Sequence, residues 1–366
     1  MQRYQSRDSF LLSHSNRQTL IKFSAVIVGI ILTMIISEIL LRVYAGYATS
    51  ETMQPGLVQR DPNLGWKLAT NWKGDHKHHD YQVRYATNIK GERDAPSRTY
   101  ESGAPKVLMV GDSFTFGLGV NDEETFSYLL QQKTSQHQVI NAGVPGYSPE
   151  QIALRAIHLA RLYQPEVIGF VLYLGNDLID IGHEFAVQAP GGKPYMVIDE
   201  TTHGRIVNMP VVRSRKPTEL ANISLGDRIL KQSSASVKGP RILDLIWTEW
   251  GALAEIDTGK LDLSVRLLAE TLAYLETNTT SRLVVVVLPG AGALNSDSGV
   301  TAQYQLSART RVLGMLAQKN LEYIDLYTDL NQEYEGRLFH PNDGHLTLKG
   351  HEIVATSLAE YLLRRR

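Results

Sequence analysis

The chain has 366 residues, of which 43% are hydrophobic and 20% are charged. This composition is ordinary for a globular protein and excludes a wholly disordered or collagen-like chain. Its 37 basic and 38 acidic residues give a net charge of −1, so there is no global basic field and nucleic acid is not an expected partner. The sequence contains no cysteine, which excludes disulfides, thiolate metal sites and cysteine nucleophiles.

The first predicted element is an apolar segment at residues 23–41, in which Glu38 is the only charged residue. A helix needs about 20 mostly apolar residues to cross the hydrocarbon core of a membrane, so we predict a transmembrane helix here. A cleavable signal peptide is one alternative, but residues 1–22 and the sequence Ala45-Gly46-Tyr47-Ala48 match the usual n-region and cleavage site poorly. A buried soluble helix is the other alternative, and such a helix is seldom apolar on every face.

The distribution of basic residues predicts the orientation of this segment. The side of a membrane helix that is richer in Lys and Arg stays in the cytoplasm. The asymmetry favours residues 1–22 as a cytoplasmic N-terminal tail and places the rest of the chain in a periplasmic or extracellular space. The basic residues are Arg3, Arg7, Arg17 and Lys22 before the segment, and Arg42 and Arg60 after it.

Residues 42–105 are polar and punctuated by Pro and Gly, and short alternating pieces such as Tyr81–Tyr85 are typical of strands. We predict a linker and a small β-rich cap. The run from His76 to Asp80 is a candidate metal site, but the adjacent His78 and His79 suit neither a helix-face nor a strand-face ligand pair. We therefore interpret the run as a solvated loop and predict no metal and no cofactor.

From residue 106 onward, short apolar runs alternate with longer amphipathic segments, as in an open α/β sheet. We predict a three-layer α/β/α sandwich with a mostly parallel five-stranded sheet over residues 106–366, with an insertion at about 178–260 over one edge of the sheet. The predicted strands are 106–111, 138–142, 167–174, 282–288 and 322–326, and the predicted helices are 123–134, 149–163, 264–276, 301–319 and 347–364.

Chemistry in such sheets is found where strands end at their carboxyl edge. Ser113 follows the first strand, Gly146 lies in the loop after the second, and Asn176 follows the third. A serine hydroxyl, a backbone N–H beside a glycine and a side-chain amide can supply a nucleophile and two oxyanion donors. Each residue also has a plain structural interpretation, as a helix N-cap for Ser113 and as turn residues for Gly146 and Asn176.

A loop before the last predicted helix carries Asp343 and His345. A carboxylate placed there can hold the imidazole in one tautomer and stabilise its charged form, so that the imidazole can deprotonate a serine. His351 lies within the predicted helix and is interpreted as a structural residue.

Taken in order, these blocks resemble those of the SGNH (GDSL-type) hydrolases over about residues 106–364. Gly111-Asp112-Ser113, Gly146, Gly175-Asn176-Asp177 and Asp343-Gly344-His345 match the four blocks. The segments 87–94 and 141–148 are similar to a membrane-anchored bacterial branch of that family. The commonest final block is Asp-x-x-His, whereas here the residue three before His345 is Asn342, so either Asn342 or Asp343 orients His345.

The resemblance implies a flavodoxin-like SGNH hydrolase fold and cleavage of an acyl ester through an acyl-enzyme, without a cofactor. It implies Ser113 as nucleophile, His345 as general acid and base, and Asp343 as the residue that orients His345. The backbone N–H groups of Ser113 and Gly146 and the side-chain amide of Asn176 would form the oxyanion hole. Asp112 is interpreted as a structural cap.

The resemblance leaves the acceptor of the acyl group open. With water the protein is an esterase acting on an acylated glycan or a lipid, which is the outcome we favour. With a sugar hydroxyl it is an O-acyltransferase of an exported polysaccharide. A third alternative is a non-catalytic module on the same fold, which binds glycan or assembles an envelope complex. The motifs indicate neither the acyl chain length nor an oligomeric state.

Overall fold

A computed structural model of the chain describes residues 14–48, 51–95, 103–134, 136–187, 191–198, 204–212, 260–294, 299–334 and 337–364. Most of the predicted insertion, at residues 213–259, and most of the predicted N-terminal tail lie outside the described residues.

The N-terminal helix α1 spans His14–Ala48 and is longer at both ends than the predicted segment 23–41. Residues 42–48, which we expected to begin the linker, therefore continue the helix. Within it, Ile21–Tyr44 forms a 24-residue stretch with a mean hydropathy of 2.5, none of which is buried against the rest of the chain. By length and composition this stretch can cross a membrane, although a signal sequence meets the same criteria.

The region after the helix contains five short strands among its described residues, arranged as two antiparallel units. We call residues 51–95 the cap. One unit is the three-stranded sheet β1-β4-β5, and the other is the hairpin β2-β3. The bounds are Glu51–Met53 for β1, Val58–Asp61 for β2, Gly65–Leu68 for β3, Lys73–His78 for β4 and Gln82–Ala86 for β5.

The main domain is built on a five-stranded sheet in which every neighbouring pair is parallel. Its order, β7-β6-β8-β11-β12, is the doubly wound order 2-1-3-4-5, whose direction of winding reverses between β6 and β8. A separate antiparallel pair, β9-β10, lies in the insertion. The bounds are Lys106–Val110 for β6, Gln138–Asn141 for β7, Val167–Tyr173 for β8, Tyr195–Val197 for β9, Arg205–Val207 for β10, Arg282–Leu288 for β11 and Glu322–Asp325 for β12.

The helices of the main domain agree closely with the sequence pattern, except that the predicted helix 123–134 is divided. A 3-10 turn covers Asp122–Glu124, and the helix proper begins after Thr125, whose side chain accepts a hydrogen bond from the Tyr128 N–H. The helices are α2 (Ser113–Phe116), α3 (Phe126–Lys133), α4 (Pro149–Tyr163), α5 (Asp177–Asp180), α6 (Lys260–Thr277), α7 (Val300–Gln318), α8 (Tyr327–Gln332) and α9 (Leu348–Arg364).

Successive strand residues point to opposite faces of the sheet, and the core divides accordingly. Leu108 and Val110 belong to the core cluster that contains residues of α4, α6 and α7. Val107 and Met109 belong to the other cluster, with residues of α3 and α9. Helices therefore cover both faces of the sheet, and the predicted three-layer α/β/α fold is confirmed.

Candidate active site

Ser113 lies at the start of α2, directly after the carboxyl end of β6. The N-cap of this helix is Asp112, whose carboxylate accepts a hydrogen bond of 2.9 Å from the Phe114 N–H. The alternative in which Ser113 itself caps the helix is therefore wrong, and the Ser113 hydroxyl is left for another partner. The residue is only 6% exposed.

That partner is His345. Its Nε2 lies 2.8 Å from Ser113 Oγ, and its Nδ1 lies 2.7 Å from Asp343 Oδ2. Gly344, between the two loop residues, has a φ of +84°, a conformation that glycine adopts more readily than residues with a side chain. The loop is closed by a hydrogen bond of 2.8 Å from the His340 N–H to the His345 carbonyl. The structure thus brings the three residues together in one hydrogen-bonded chain.

The same geometry distinguishes Asp343 from Asn342. The Asn342 side chain points away from the imidazole and donates from Nδ2 to Asp80 Oδ1 at 2.6 Å. Asp343 alone of the two contacts His345 Nδ1.

The protonation states of this pair reflect its geometry. Burial alone would lower the pKa of His345, but the hydrogen bond and charge of Asp343 outweigh burial and raise it. Burial alone would raise the pKa of Asp343, but the hydrogen bond and charge of His345 lower it to about 2. Asp343 is therefore ionised at neutral pH and stabilises the charged form of the imidazole.

The two other candidate donors lie at the same edge of the sheet. Gly146 follows β7 with a φ of +78°, and Asn176 follows β8 as the N-cap of α5. Because β7, β6 and β8 are neighbouring parallel strands, the segments that follow their carboxyl ends, which carry Gly146, Ser113 and Asn176, begin at one edge of the sheet. Asn176 Nδ2 donates one hydrogen bond of 2.7 Å to Asp180 Oδ2. A second, longer hydrogen bond of 3.4 Å runs from the same nitrogen to Asp177 Oδ1, so both amide hydrogens have a carboxylate partner in the structure.

Two further carboxyl groups are buried beside the site. Burial raises the pKa of Asp112 to about 6. Burial, followed by the charge of Asp112, raises the pKa of Asp177 well above its ordinary value. With a pKa of about 6, Asp112 is mostly ionised at neutral pH, whereas the larger upward shift at Asp177 favours its protonated, uncharged form.

The cap contributes residues that sequence reasoning missed. Asp80 hydrogen-bonds the loop that carries Asp343, and the Tyr81 ring packs against His340 at 4.8 Å between centroids. The two backbone N–H groups that Asp80 accepts from lie 262 and 263 residues further along the chain, so no local pattern in the sequence joins the cap to this loop.

The interpretation of residues 76–80 as a solvated loop is wrong, because His76 and His78 belong to strand β4. His76 is buried and its Nδ1 lies 2.7 Å from the Tyr85 hydroxyl. His78 stacks on the Tyr81 ring. Within the part of the chain that the structure describes, no three His, Cys, Asp or Glu side chains are grouped so as to hold a metal ion.

No family model and no curated protein matches the chain. Among solved structures, it is similar to a putative lipolytic protein of the G-D-S-L family from Desulfitobacterium hafniense DCB-2, with 15% identity, a TM-score of 0.38 and coverage of 70% of this chain and 98% of that one. It is also similar to a lipase/acylhydrolase from Enterococcus faecalis, with 13% identity, a TM-score of 0.40 and coverage of 71% and 96%. A third similar structure is the acetyl xylan esterase AlAXEase, with 16% identity, a TM-score of 0.38 and coverage of 70% and 99%.

Proposed function

We propose that this chain is a serine esterase of the SGNH type that cleaves an acyl ester through an acyl-enzyme. The observation that carries the proposal is the hydrogen-bonded chain from Ser113 Oγ through the His345 ring to Asp343, with distances of 2.8 and 2.7 Å. A serine activated by an imidazole, with a third group orienting that imidazole, is the arrangement that nucleophilic acyl transfer requires.

In the proposed reaction, Ser113 Oγ attacks the ester carbonyl while His345 Nε2 takes the hydroxyl proton. The negative charge of the tetrahedral intermediate is stabilised by the backbone N–H groups of Ser113 and Gly146 and by the Asn176 amide. Collapse of the intermediate breaks the bond to the leaving alcohol, which receives the proton from His345, and leaves the acyl group on Ser113. Water, deprotonated by His345, then attacks the acyl-enzyme and releases the acid.

We propose that α1 anchors the enzyme in a membrane, with the cap and the main domain outside the cytoplasm. The apolar stretch Ile21–Tyr44, none of which is buried, supports the anchor, and the excess of Lys and Arg before residue 23 supports the orientation.

The test is labelling of the full-length chain, purified in detergent, with a fluorophosphonate probe, followed by mass spectrometry of the modified peptide. We expect modification of Ser113, no labelling of Ser113→Ala, and labelling of His345→Ala slowed by about 10²-fold or more. Ser357→Ala is the matched control, because Ser357 also hydrogen-bonds a carboxylate, that of Asp329, but has no imidazole partner in the structure.

Labelling that survives in Ser113→Ala, or no labelling of folded wild-type protein, would overturn the esterase proposal. The second outcome would favour a non-catalytic binding module. A labelled enzyme that hydrolyses p-nitrophenyl acetate slowly, but transfers the acetyl group to an added oligosaccharide, would identify an O-acyltransferase instead.

A further inference from the structure

The turn between β4 and β5 of the cap reaches the loop that carries Asp343. Asp80, in this turn, accepts hydrogen bonds from the Asn342 N–H (2.8 Å), the Asn342 side-chain amide (2.6 Å) and the Asp343 N–H (3.0 Å). Its side chain is 4% exposed. One buried carboxylate therefore accepts three hydrogen bonds from two consecutive loop residues, Asn342 and Asp343.

These contacts determine which face of the loop meets the imidazole. The Asn342 side chain is held on the Asp80 side, and the Asp343 backbone is fixed by its own N–H, so the Asp343 carboxylate is directed at His345 Nδ1, 2.7 Å away. Burial alone would raise the pKa of Asp80, but its hydrogen bonds to Asn342 and Asp343 lower it. Asp80 is therefore ionised at neutral pH, when its hydrogen bonds are strongest.

Tyr81, the next residue of the same turn, supports the loop from a second direction. Its ring stacks on His78 at 5.1 Å and packs against His340 at 4.8 Å between centroids. His340 Nε2 in turn lies 3.1 Å from the Gly119 carbonyl, in the segment that follows the nucleophile helix α2. The turn thus links the loop of the acid to the segment after the nucleophile.

The other unit of the cap, the hairpin β2-β3, contacts a different catalytic loop. Trp66 Nε1 donates to the Pro145 carbonyl at 3.0 Å, and the Tyr147 hydroxyl donates to the Trp66 carbonyl at 2.5 Å. These two bonds enclose Gly146, the proposed oxyanion donor. Both units of the cap therefore hold loops on which the proposed chemistry depends.

We propose that Asp80 is a positioning residue for catalysis, through which the cap aligns Asp343 with His345. This inference rests on the proposed function, because it assigns a role in the same Ser113–His345–Asp343 chain. It makes the cap a part of the catalytic apparatus rather than a spacer between the N-terminal helix and the main domain.

The test compares wild type with Asp80→Ala and Asp80→Asn in the full-length chain. The rate of p-nitrophenyl acetate hydrolysis is divided by the concentration of sites titrated with the fluorophosphonate, so that misfolded molecules do not count. For Asp80→Ala we expect kcat per titrated site to fall by about 10- to 100-fold, with KM changed by less than about 2-fold. Asp80→Asn keeps one acceptor oxygen, so its kcat per titrated site should lie between the values for the wild type and Asp80→Ala.

The matched control is Asp75→Asn. Asp75 lies on the preceding strand β4 and pairs with Arg84 at 2.7 Å on the exposed side of the cap. We expect its kcat and KM to equal those of the wild type.

A double-variant cycle separates positioning from a general structural effect. If Asp80 acts through Asp343, Asp80→Ala should lower kcat by less than about 3-fold when introduced into Asp343→Asn, because two residues that act as a unit are not additive. An equal fall in both backgrounds, or an unchanged kcat in folded Asp80→Ala, would overturn the inference. If Asp80→Ala does not fold, Asp80→Asn takes its place in the cycle. Failure of the proposed function itself would appear separately, as absence of labelling at Ser113 in the wild type.

Discussion

At the scale of single residues, the proposed reaction makes activity depend on the protonation of His345. In that proposal, attack by Ser113 requires the neutral ring, and the hydrogen bond and charge of Asp343 raise the pKa of that ring above its ordinary value in spite of burial. We therefore expect kcat/KM for p-nitrophenyl acetate to rise with pH through a midpoint above about 6.5. A wild-type midpoint at or below that value would contradict the assignment.

Replacing Asp343 tests whether its carboxylate is what raises the pKa of His345. Asp343→Asn removes the contribution that raises the His345 pKa, so the midpoint should move to lower pH, and kcat/KM should fall by about 10³-fold or more. Asp325→Asn is the control, because Asp325, at the end of β12, pairs with Arg309 of helix α7 and not with a histidine. Its pH profile should match that of the wild type.

Asn176 tests the proposed oxyanion hole. Its amide is oriented by hydrogen bonds of 2.7 Å to Asp180 and 3.4 Å to Asp177, and the proposed oxyanion would replace the longer of the two. Asn176→Ala should lower kcat by about 10²-fold or more with little change in KM, since the donor acts chiefly in the transition state. Asn176→Asp, similar in size but without the donor, should show the same loss. A rise in KM alone would make Asn176 a substrate-binding residue.

The family resemblance predicted the pairing of Ser113 with His345 across 232 residues of chain. Apart from that resemblance, the sequence was informative about single residues only where their partners were close in the chain. It placed Asp343 two residues before His345, and the structure shows the carboxylate at the imidazole. The role of Asn342 was ambiguous because its partner, Asp80, lies 262 residues away. Contacts of that separation leave no periodicity or spacing to read.

At the scale of elements, the strands of the main sheet were predictable because they are buried on both faces. β8 and β11 are almost continuous apolar runs, and such runs have few alternative structures. The cap was harder, since β4 reads Lys-Gly-Asp-His-Lys-His and buries only alternate residues. The sequence of such a polar strand looks like that of a loop unless the strands that pair with it are known. This explains why residues 76–80 were interpreted as a solvated loop.

One ion pair fixes the described part of the insertion to the main domain. Lys193 Nζ lies 3.1 and 3.2 Å from the two carboxylate oxygens of Glu150, at the start of α4, and both side chains are buried. Lys193→Met leaves the Glu150 charge without its cation and should lower the free energy of unfolding by about 3–5 kcal/mol. Urea unfolding of the purified chain in mild detergent measures this change.

The double variant makes that prediction specific. Glu150→Gln added to Lys193→Met removes the unpaired charge but keeps an acceptor for the Met196 N–H, so most of the lost stability should return. Lys349→Met, at an exposed pair with Glu333, should change the unfolding free energy by less than about 1 kcal/mol. Equal losses in the single and double variants would show that packing, not charge, is responsible.

At the scale of the whole molecule, the chain combines a main domain, whose apolar residues form a buried core, with an N-terminal helix whose apolar residues are not buried. The core of the main domain is divided between the two faces of one sheet. In contrast, the apolar side chains of Ile21–Tyr44 contact no other part of the described chain closely enough to be buried. At 1.5 Å per residue, 24 residues extend about 36 Å, against about 30 Å for the hydrocarbon core of a bilayer.

That contrast predicts how the chain fractionates. The full-length protein should remain with membranes after extraction with alkaline carbonate, whereas residues 49–366 should be released, because α1 carries the one candidate membrane span among the described residues. Ile31→Arg places a charge near the centre of the span, at a cost of about 2.5–3.5 kcal/mol, and should reduce the membrane-bound fraction. Lys22→Arg keeps the positive charge near the N-terminal end of the span and should leave the membrane-bound fraction unchanged. Intact mass of the membrane-bound protein separates anchor from signal peptide, since cleavage would remove the helix and release the enzyme from the membrane.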